Sequence, residues 1–139
     1  MDYYDLLIKL AKKSLKSGDV PVGAVVVYDN KIISTGYNTR EKKHSVINHA
    51  EINAIIKACK KLNNWNLSDC TLYITLKPCS MCMEIIKQCR IKNVYYILDK
   101  PSSKKEFSNV FVNKFSSYQQ EKDYNNLLSN FFKELRNIK

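Results

Sequence analysis

Apolar side chains at Tyr4, Leu7, Ile8, Ala11 and Leu15 recur at intervals of three and four, the spacing of one helical face. Asp2 is in position to cap this first helix, and Gly18 to end it. The pattern then changes period. Ala24–Tyr28 is a run of mostly β-branched residues, Asp29-Asn30 reads as a hairpin turn, and Lys31–Tyr37 follows as the partner strand. Ile52, Ile55, Ile56 and Cys59 mark the apolar stripe of a second helix, which begins at His49-Ala50-Glu51. Thr71–Leu76 predicts a strand running into Pro78, Cys79–Gln88 a third helix, and Asn93–Leu98 the next strand. Residues 102–120 have no clear period, although Phe107, Val110, Phe111, Val112 and Phe115 supply surface to bury. From Tyr124 the helical period returns through Leu127, Leu128, Phe131, Phe132 and Leu135, predicting an amphipathic closing helix on the sheet with the Phe131-Phe132 pair in the core. The order of elements is that of a layered α/β domain with parallel crossovers toward its end. No linker, repeat or low-complexity tract breaks it, so residues 1–139 are expected to form a single domain.

Composition narrows the setting. Hydrophobic residues make up 45% of the chain, yet no apolar run reaches the roughly 20 residues needed to span a bilayer. The start, Met1-Asp2-Tyr3-Tyr4-Asp5, has acids and no basic stretch before an apolar core, unlike a signal or transit peptide. Five cysteines, an odd number, suit a reducing compartment, and cytoplasm is the expected location. The net charge is +10, and most of the excess lies in residues 41–105, with twelve basic and five acidic side chains. That distribution suits a polyanionic partner, although net charge speaks to association and not to chemistry.

The chemistry is concentrated in His49-Ala50-Glu51 and, after 26 intervening residues, Pro78-Cys79-Ser80-Met81-Cys82. His49, Cys79 and Cys82 are three good zinc ligands, and three protein ligands leave a fourth tetrahedral position for water, as catalytic zinc sites do. Such water becomes a nucleophile near neutral pH. Glu51 is the spare carboxylate that can move its protons, provided it stays off the metal. Cys79 and Cys82, three apart at a helix start, face one way, and the helix N-terminus favours thiolate. Pro78 fits the entry, where a missing N–H costs little. His49 and Glu51 are two apart and can converge only where a helix begins. A redox Cys-x-x-Cys pair would not explain His-x-Glu. A structural zinc would want a fourth ligand from His44, Cys59, Cys70 or Cys89, none of which forms a second ligand pair. Cys59, Cys70 and Cys89 read instead as packing thiols, and His44 as a solvated loop residue.

The His-x-Glu…Pro-Cys-x-x-Cys pattern is the signature of zinc-dependent nucleobase deaminases. Further stretches sharpen the resemblance. Asp19-Val20-Pro21-Val22-Gly23-Ala24, Gly36-Tyr37-Asn38, Leu72-Tyr73-Ile74-Thr75-Leu76 and the terminal Phe131-Phe132-Lys133-Glu134-Leu135-Arg136 resemble the bacterial tRNA-specific adenosine deaminases, a family that converts the wobble adenosine of an anticodon to inosine. The resemblance implies a cytidine-deaminase-like three-layer α/β/α sandwich with a central mixed sheet and a C-terminal amphipathic helix. It implies one Zn2+ per subunit on His49, Cys79 and Cys82, catalysis by Glu51, and a homodimer acting on a tRNA anticodon stem-loop. By the same resemblance Asn38 would hydrogen-bond the flipped base, Val20, Pro21 and Leu76 would line its pocket, and the backbone N–H groups of Ala50 and Cys79 would face the reactive water.

The chain departs from the family at three places. Lys77 stands where a glutamate usually precedes Pro-Cys, Asn48 replaces a commoner small residue or arginine before the zinc histidine, and residues 97–103 lack the usual glycines. None removes a ligand. Two other readings share the motif: a small-molecule deaminase acting on guanine, cytosine or a nucleoside, and a zinc-stabilised binding subunit without activity.

Overall fold

The computed structural model describes residues 3–99 and 109–137. Its elements in chain order are α1 (Tyr4–Ser14), β1 (Gly23–Tyr28), β2 (Lys31–Tyr37), α2 (Ala50–Leu62), β3 (Cys70–Leu76), α3 (Ser80–Gln88), β4 (Asn93–Leu98), β5 (Phe111–Lys114) and α4 (Tyr118–Asn137). The five strands form one mixed sheet in the order β2-β1-β3-β4-β5. β1 runs antiparallel to β2 and β3, whereas β3, β4 and β5 are mutually parallel.

Strand alternation divides the core into two layers. Ala24 and Val26 face α2 and α3, and pack with Ala54, Ile55, Ala58, Leu72, Ile74, Met83 and Ile86. Val25 and Val27 face the other way, onto Leu7, Leu10 and Ala11 of α1 and Tyr124 and Leu128 of α4. The result is the α/β/α sandwich that the family resemblance implies. α1 passes through a single 3-10 turn at Leu15–Ser17 and stops at Gly18, whose φ of 74° is the left-handed conformation glycine adopts without strain. Asp29 and Asn30, both at positive φ, make the β1–β2 hairpin turn.

Two glycines set how closely the layers approach. A Cβ on Gly23 would meet the backbone of α1 at Leu7 and Ala11. On Gly36 it would collide with the carbonyl oxygen of Ala50 and lie 2.7 Å from the backbone nitrogen of Ala54. The first turn of α2 therefore rests directly on β2, held there by Ser34 Oγ donating to the Ala54 carbonyl at 2.7 Å.

The structure departs from the expected pattern in four places. α1 is capped at Tyr3, and Asp2, the expected cap, lies outside the described residues, as does Phe107. Ile56 is exposed, and the buried side of α2 is completed instead by Ala54 and Ala58, small residues that allow the helix to lie close to the sheet. Residues 111–114 add a short parallel edge strand with Phe111 exposed. α4 begins six residues before Tyr124, and only Tyr124 and Leu128 of it are fully buried; Phe131 is half-buried and Phe132 exposed, so the pair is not core. The helix outruns the sheet it packs on.

Gly36→Ala should lower stability by about 1–3 kcal/mol in denaturant titration, because the new methyl meets backbone and not a movable side chain. A stability within error of wild type would mean that α2 can retreat from β2 at no cost.

Candidate active site

Both sequence motifs fall at helix starts. His49 is the residue preceding α2, with extended backbone (φ −70°, ψ 160°), and Cys79 precedes α3 in the same way (φ −72°, ψ 172°). The extended geometry lets His49 swing past the helix end toward the side that Glu51, in the first turn, occupies. His49 Nδ1 lies 3.3 Å from Cys82 Sγ and 3.8 Å from Cys79 Sγ, and all three candidate ligand atoms lie within 4.8 Å of one another. In a tetrahedral zinc site, bond lengths of about 2.3 Å to sulfur and 2.0–2.1 Å to nitrogen separate such atoms by roughly 3.5 Å. The donor set fits a zinc ion, and the two histidine–sulfur separations, 3.3 and 3.8 Å, lie either side of that span.

The proton inventory agrees. The Cys82 thiol donates to Cys79 and His49 adds a second interaction, which together hold the Cys79 thiol well below its ordinary range. Cys82 is pushed up, mainly because its proton is shared with Cys79 and because it is buried. His49 is raised, first by its contact with Cys79. One proton is thus held between two sulfurs, and a metal ion would displace it.

Glu51 is 4% exposed, and burial pushes its carboxyl up to about 7. It lines the same pocket as His49, Ala50 and Cys79, a cavity of about 590 Å³. A cation on the three ligands would draw Glu51 back toward its ionised form. Val20, Asn38 and Leu76 also line this pocket, whereas Pro21 does not. Pro21 is buried behind it, and its carbonyl accepts from Tyr124 Oη at 2.7 Å. That bond ends a buried relay in which the Gly23 N–H donates to Thr75 Oγ1 and Thr75 Oγ1 donates to Tyr124 Oη at 2.9 Å. Tyr124, in the closing helix, thereby fixes the strand entry that forms one pocket wall.

Asn38 is nearly buried in the wall. Its Nδ2 donates to the Val20 carbonyl at 3.2 Å and its Oδ1 accepts from the Arg40 N–H at 3.1 Å. One N–H and one lone pair of the amide are left for a ligand. Ala50 is the first residue of α2, and its N–H has no partner within the helix.

Several positioning residues have no periodic signal in the sequence. Asp19, 1% exposed, accepts from Ser17 Oγ and from the backbone N–H groups of Glu41 and Lys42, so it ties the end of α1 to the loop after β2. Asn53 donates to the carbonyls of Tyr37 and Asn48 and to Thr39 Oγ1, and its own carbonyl accepts from Asn48 Nδ2 at 2.7 Å. Asn48, unusual before the histidine, therefore helps fasten the loop that delivers His49. Arg40, Glu41, Phe131 and Leu135 also line the pocket. Lys77 lines it too, with its Nζ 3.8 Å from Asp99 and 5.8 Å from the Tyr96 ring centroid. The neighbouring residues 100–103 lie outside the described residues. Cys70 and Cys89 are buried, Cys59 is half-buried, and burial raises all three thiols, as expected of packing cysteines. His44 is an exposed loop residue.

A buried carboxylate beside a Cys2His cluster at the floor of a pocket defines a hydrolytic deaminase-type centre. Comparison with known proteins agrees. The MafB19-like deaminase family matches residues 1–136. The tRNA-specific adenosine deaminase of Bacillus subtilis (strain 168) is 36% identical over 99% of this chain and 91% of its own length. That of Rickettsia bellii (strain RML369-C) is 35% identical over 93% and 97%. Among solved structures, one from a study of A-to-I editing by tRNA:A34 deaminases superposes with a TM-score of 0.75 at 29% identity, covering 81% of this chain and 96% of that one. Guanine deaminase from Bacillus subtilis superposes with a TM-score of 0.69 at 28% identity, covering 99% and 95%. The chain belongs to the deaminase family, alongside the bacterial tRNA-specific adenosine deaminases.

Metal-free protein should take up zinc with an affinity that rises with pH, by about tenfold per unit for each proton released, because the proton held between Cys79 and Cys82 must leave before both sulfurs bind. Cys82→Ser should abolish tight uptake by elemental analysis. Uptake unchanged in that variant, or independent of pH, would remove these residues as the metal site.

Proposed function

We propose that this protein hydrolyses the wobble adenosine of a tRNA anticodon to inosine, with one zinc ion per subunit and Glu51 as the proton carrier. The chemistry rests on one observation: a buried Glu51 with a raised carboxyl lines the same pocket as His49 and Cys79, whose ligand atoms cluster with that of the buried Cys82. The substrate rests on the tRNA-specific adenosine deaminases that match nearly the whole chain. Zinc held by His49, Cys79 and Cys82 would supply a water of lowered pKa. Glu51 takes a proton from the attacking water as the water oxygen adds to C6 of the adenine and passes the proton to N1. The second water proton follows through Glu51 to the exocyclic amine, the C6–N bond breaks, and ammonia leaves. The N1 proton stays on the product, so water and adenosine become inosine and ammonia.

The remaining roles follow. Asn38, through the part of its amide not engaged with Val20 and Arg40, hydrogen-bonds the base, and Val20 and Leu76 pack against it. The Ala50 N–H polarises the reacting oxygen. An anticodon loop offers an already unpaired base, so extruding it into the pocket costs little. No helix among the described residues is long and apolar enough to cross a membrane. Residues 1–139 act as one deaminase domain, in a homodimer, in the cytoplasm; the five unpaired thiols accord with that setting.

Zinc-replete protein should form inosine in an anticodon stem-loop with adenosine at the wobble position and leave free guanine, cytosine and cytidine untouched. Glu51→Gln should retain zinc and lose activity by about 10²–10⁴-fold. Turnover of guanine with an inert stem-loop would assign the chain to the small-molecule deaminases that the guanine deaminase likeness also allows. An active Glu51→Gln variant would sink the proposed proton path.

A further inference from the structure

Beside the active-site pocket lies a second depression of about 410 Å³, walled by Lys13, Lys16, Ser17, Tyr37 and Lys42. Ser17 lines both cavities, so the depression opens beside the pocket and not on a distant face. Lys13 and Lys16 come from the end of α1 and the turn after it, and Lys42 from the loop after β2. All three are exposed, and the Lys13 ammonium sits 5.8 Å from the Tyr37 ring centroid. Among the described residues, neither ion pair involves Lys13, Lys16 or Lys42. Three like charges around one depression repel each other, and an anion between them relieves that repulsion.

The arrangement is built and not accidental. Asp19 lies buried beneath the junction, and its carboxylate is engaged by Ser17 Oγ and the N–H groups of Glu41 and Lys42. It clasps the segment carrying Lys16 to the segment carrying Lys42. Glu41, the other nearby acid, lines the active-site pocket and not the depression. Arg40, one residue before it, lines the active-site pocket, so the basic strip runs on to that pocket.

We propose that this depression is the track for the phosphodiester backbone of RNA next to the nucleotide held in the pocket, an inference that rests on the functional reading above. A free base or nucleoside would occupy the pocket alone and leave the three lysines unused. A chain continuing past the pocket presents successive phosphates to them. The contacts are to backbone, so they supply affinity and register but read no sequence.

The test is binding of the wobble-adenosine stem-loop at about 50 and 200 mM salt, a range over which phosphate contacts weaken markedly. The variant K13Q/K16Q/K42Q is compared with K60Q/K61Q/K92Q, which removes the same charge, two of its lysines lying in the last turn of α2, ~17 Å along that helix from His49. Wild-type affinity should fall more than that of the groove variant, by a factor on the order of 20 across this range, from three contacts of slope about 0.7 each. The control should keep the wild-type salt dependence, and the groove variant should keep the wild-type deamination rate at saturating RNA. A groove variant with wild-type salt dependence, or a control that loses as much, overturns the track. Wild-type protein that binds the stem-loop without forming inosine overturns the functional reading, and the slopes still decide the track. Failure to bind RNA at all overturns both.

Discussion

The backbone contact between α2 and β2 is the constraint on which the site depends. With no side chain at Gly36, the carbonyl of Ala50 and the backbone of Ala54 come against the strand itself, and Ser34 and Asn53 fasten the helix there. The first turn of α2 cannot slide or tilt without losing these bonds. Its position fixes the extended residue ahead of it, His49, and the buried carboxylate within it, Glu51. Side chains two apart in sequence normally point to different sides of a helix. Here they serve one centre because the helix begins between them.

The parallel β3-α3-β4 unit brings the second half. β3 delivers Cys79 to the start of α3, and the helix geometry returns Cys82 to the same side. Two helix N-termini thus point their unpaired N–H groups toward one small volume, which favours thiolate, carboxylate and any anionic species formed between them. Burial opposes that charge, and the balance appears in the proton held between the cysteines and in the raised Glu51. A divalent cation on His49, Cys79 and Cys82 would resolve the conflict. The pocket has an apolar wall from Val20 and Leu76 with Asn38 as a polar contact, the mix of surfaces common in small-molecule sites.

The elements with a long, clean period were legible in the sequence: α1, the β1–β2 hairpin, α2, β3, α3 and β4 fall where spacing places them, to within a residue or so. β5 was not, because four residues on a sheet edge, with Phe111 outward, leave too little alternation to register. The ligand motifs were legible because coordination chemistry restricts both residue type and spacing. The parts that position them were not. Asp19, Asn48 and Asn53 act through single hydrogen bonds to backbone distant in sequence, which no periodicity encodes. Phe131 and Phe132 misled for the opposite reason: their helical spacing is that of a core face, but the sheet ends before the helix does, and Phe131 turns to the pocket.

The central claim is that solvent water, directed by this cluster, replaces one exocyclic amine on RNA. The most direct measurement is the reaction run in ¹⁸O-labelled water on whole tRNA, followed by nuclease digestion and mass spectrometry of the fragments. The account predicts inosine at the anticodon wobble position and nowhere else, each carrying a single ¹⁸O atom. Inosine without the label, or label appearing in free purine bases while the anticodon fragments stay unchanged, would contradict it.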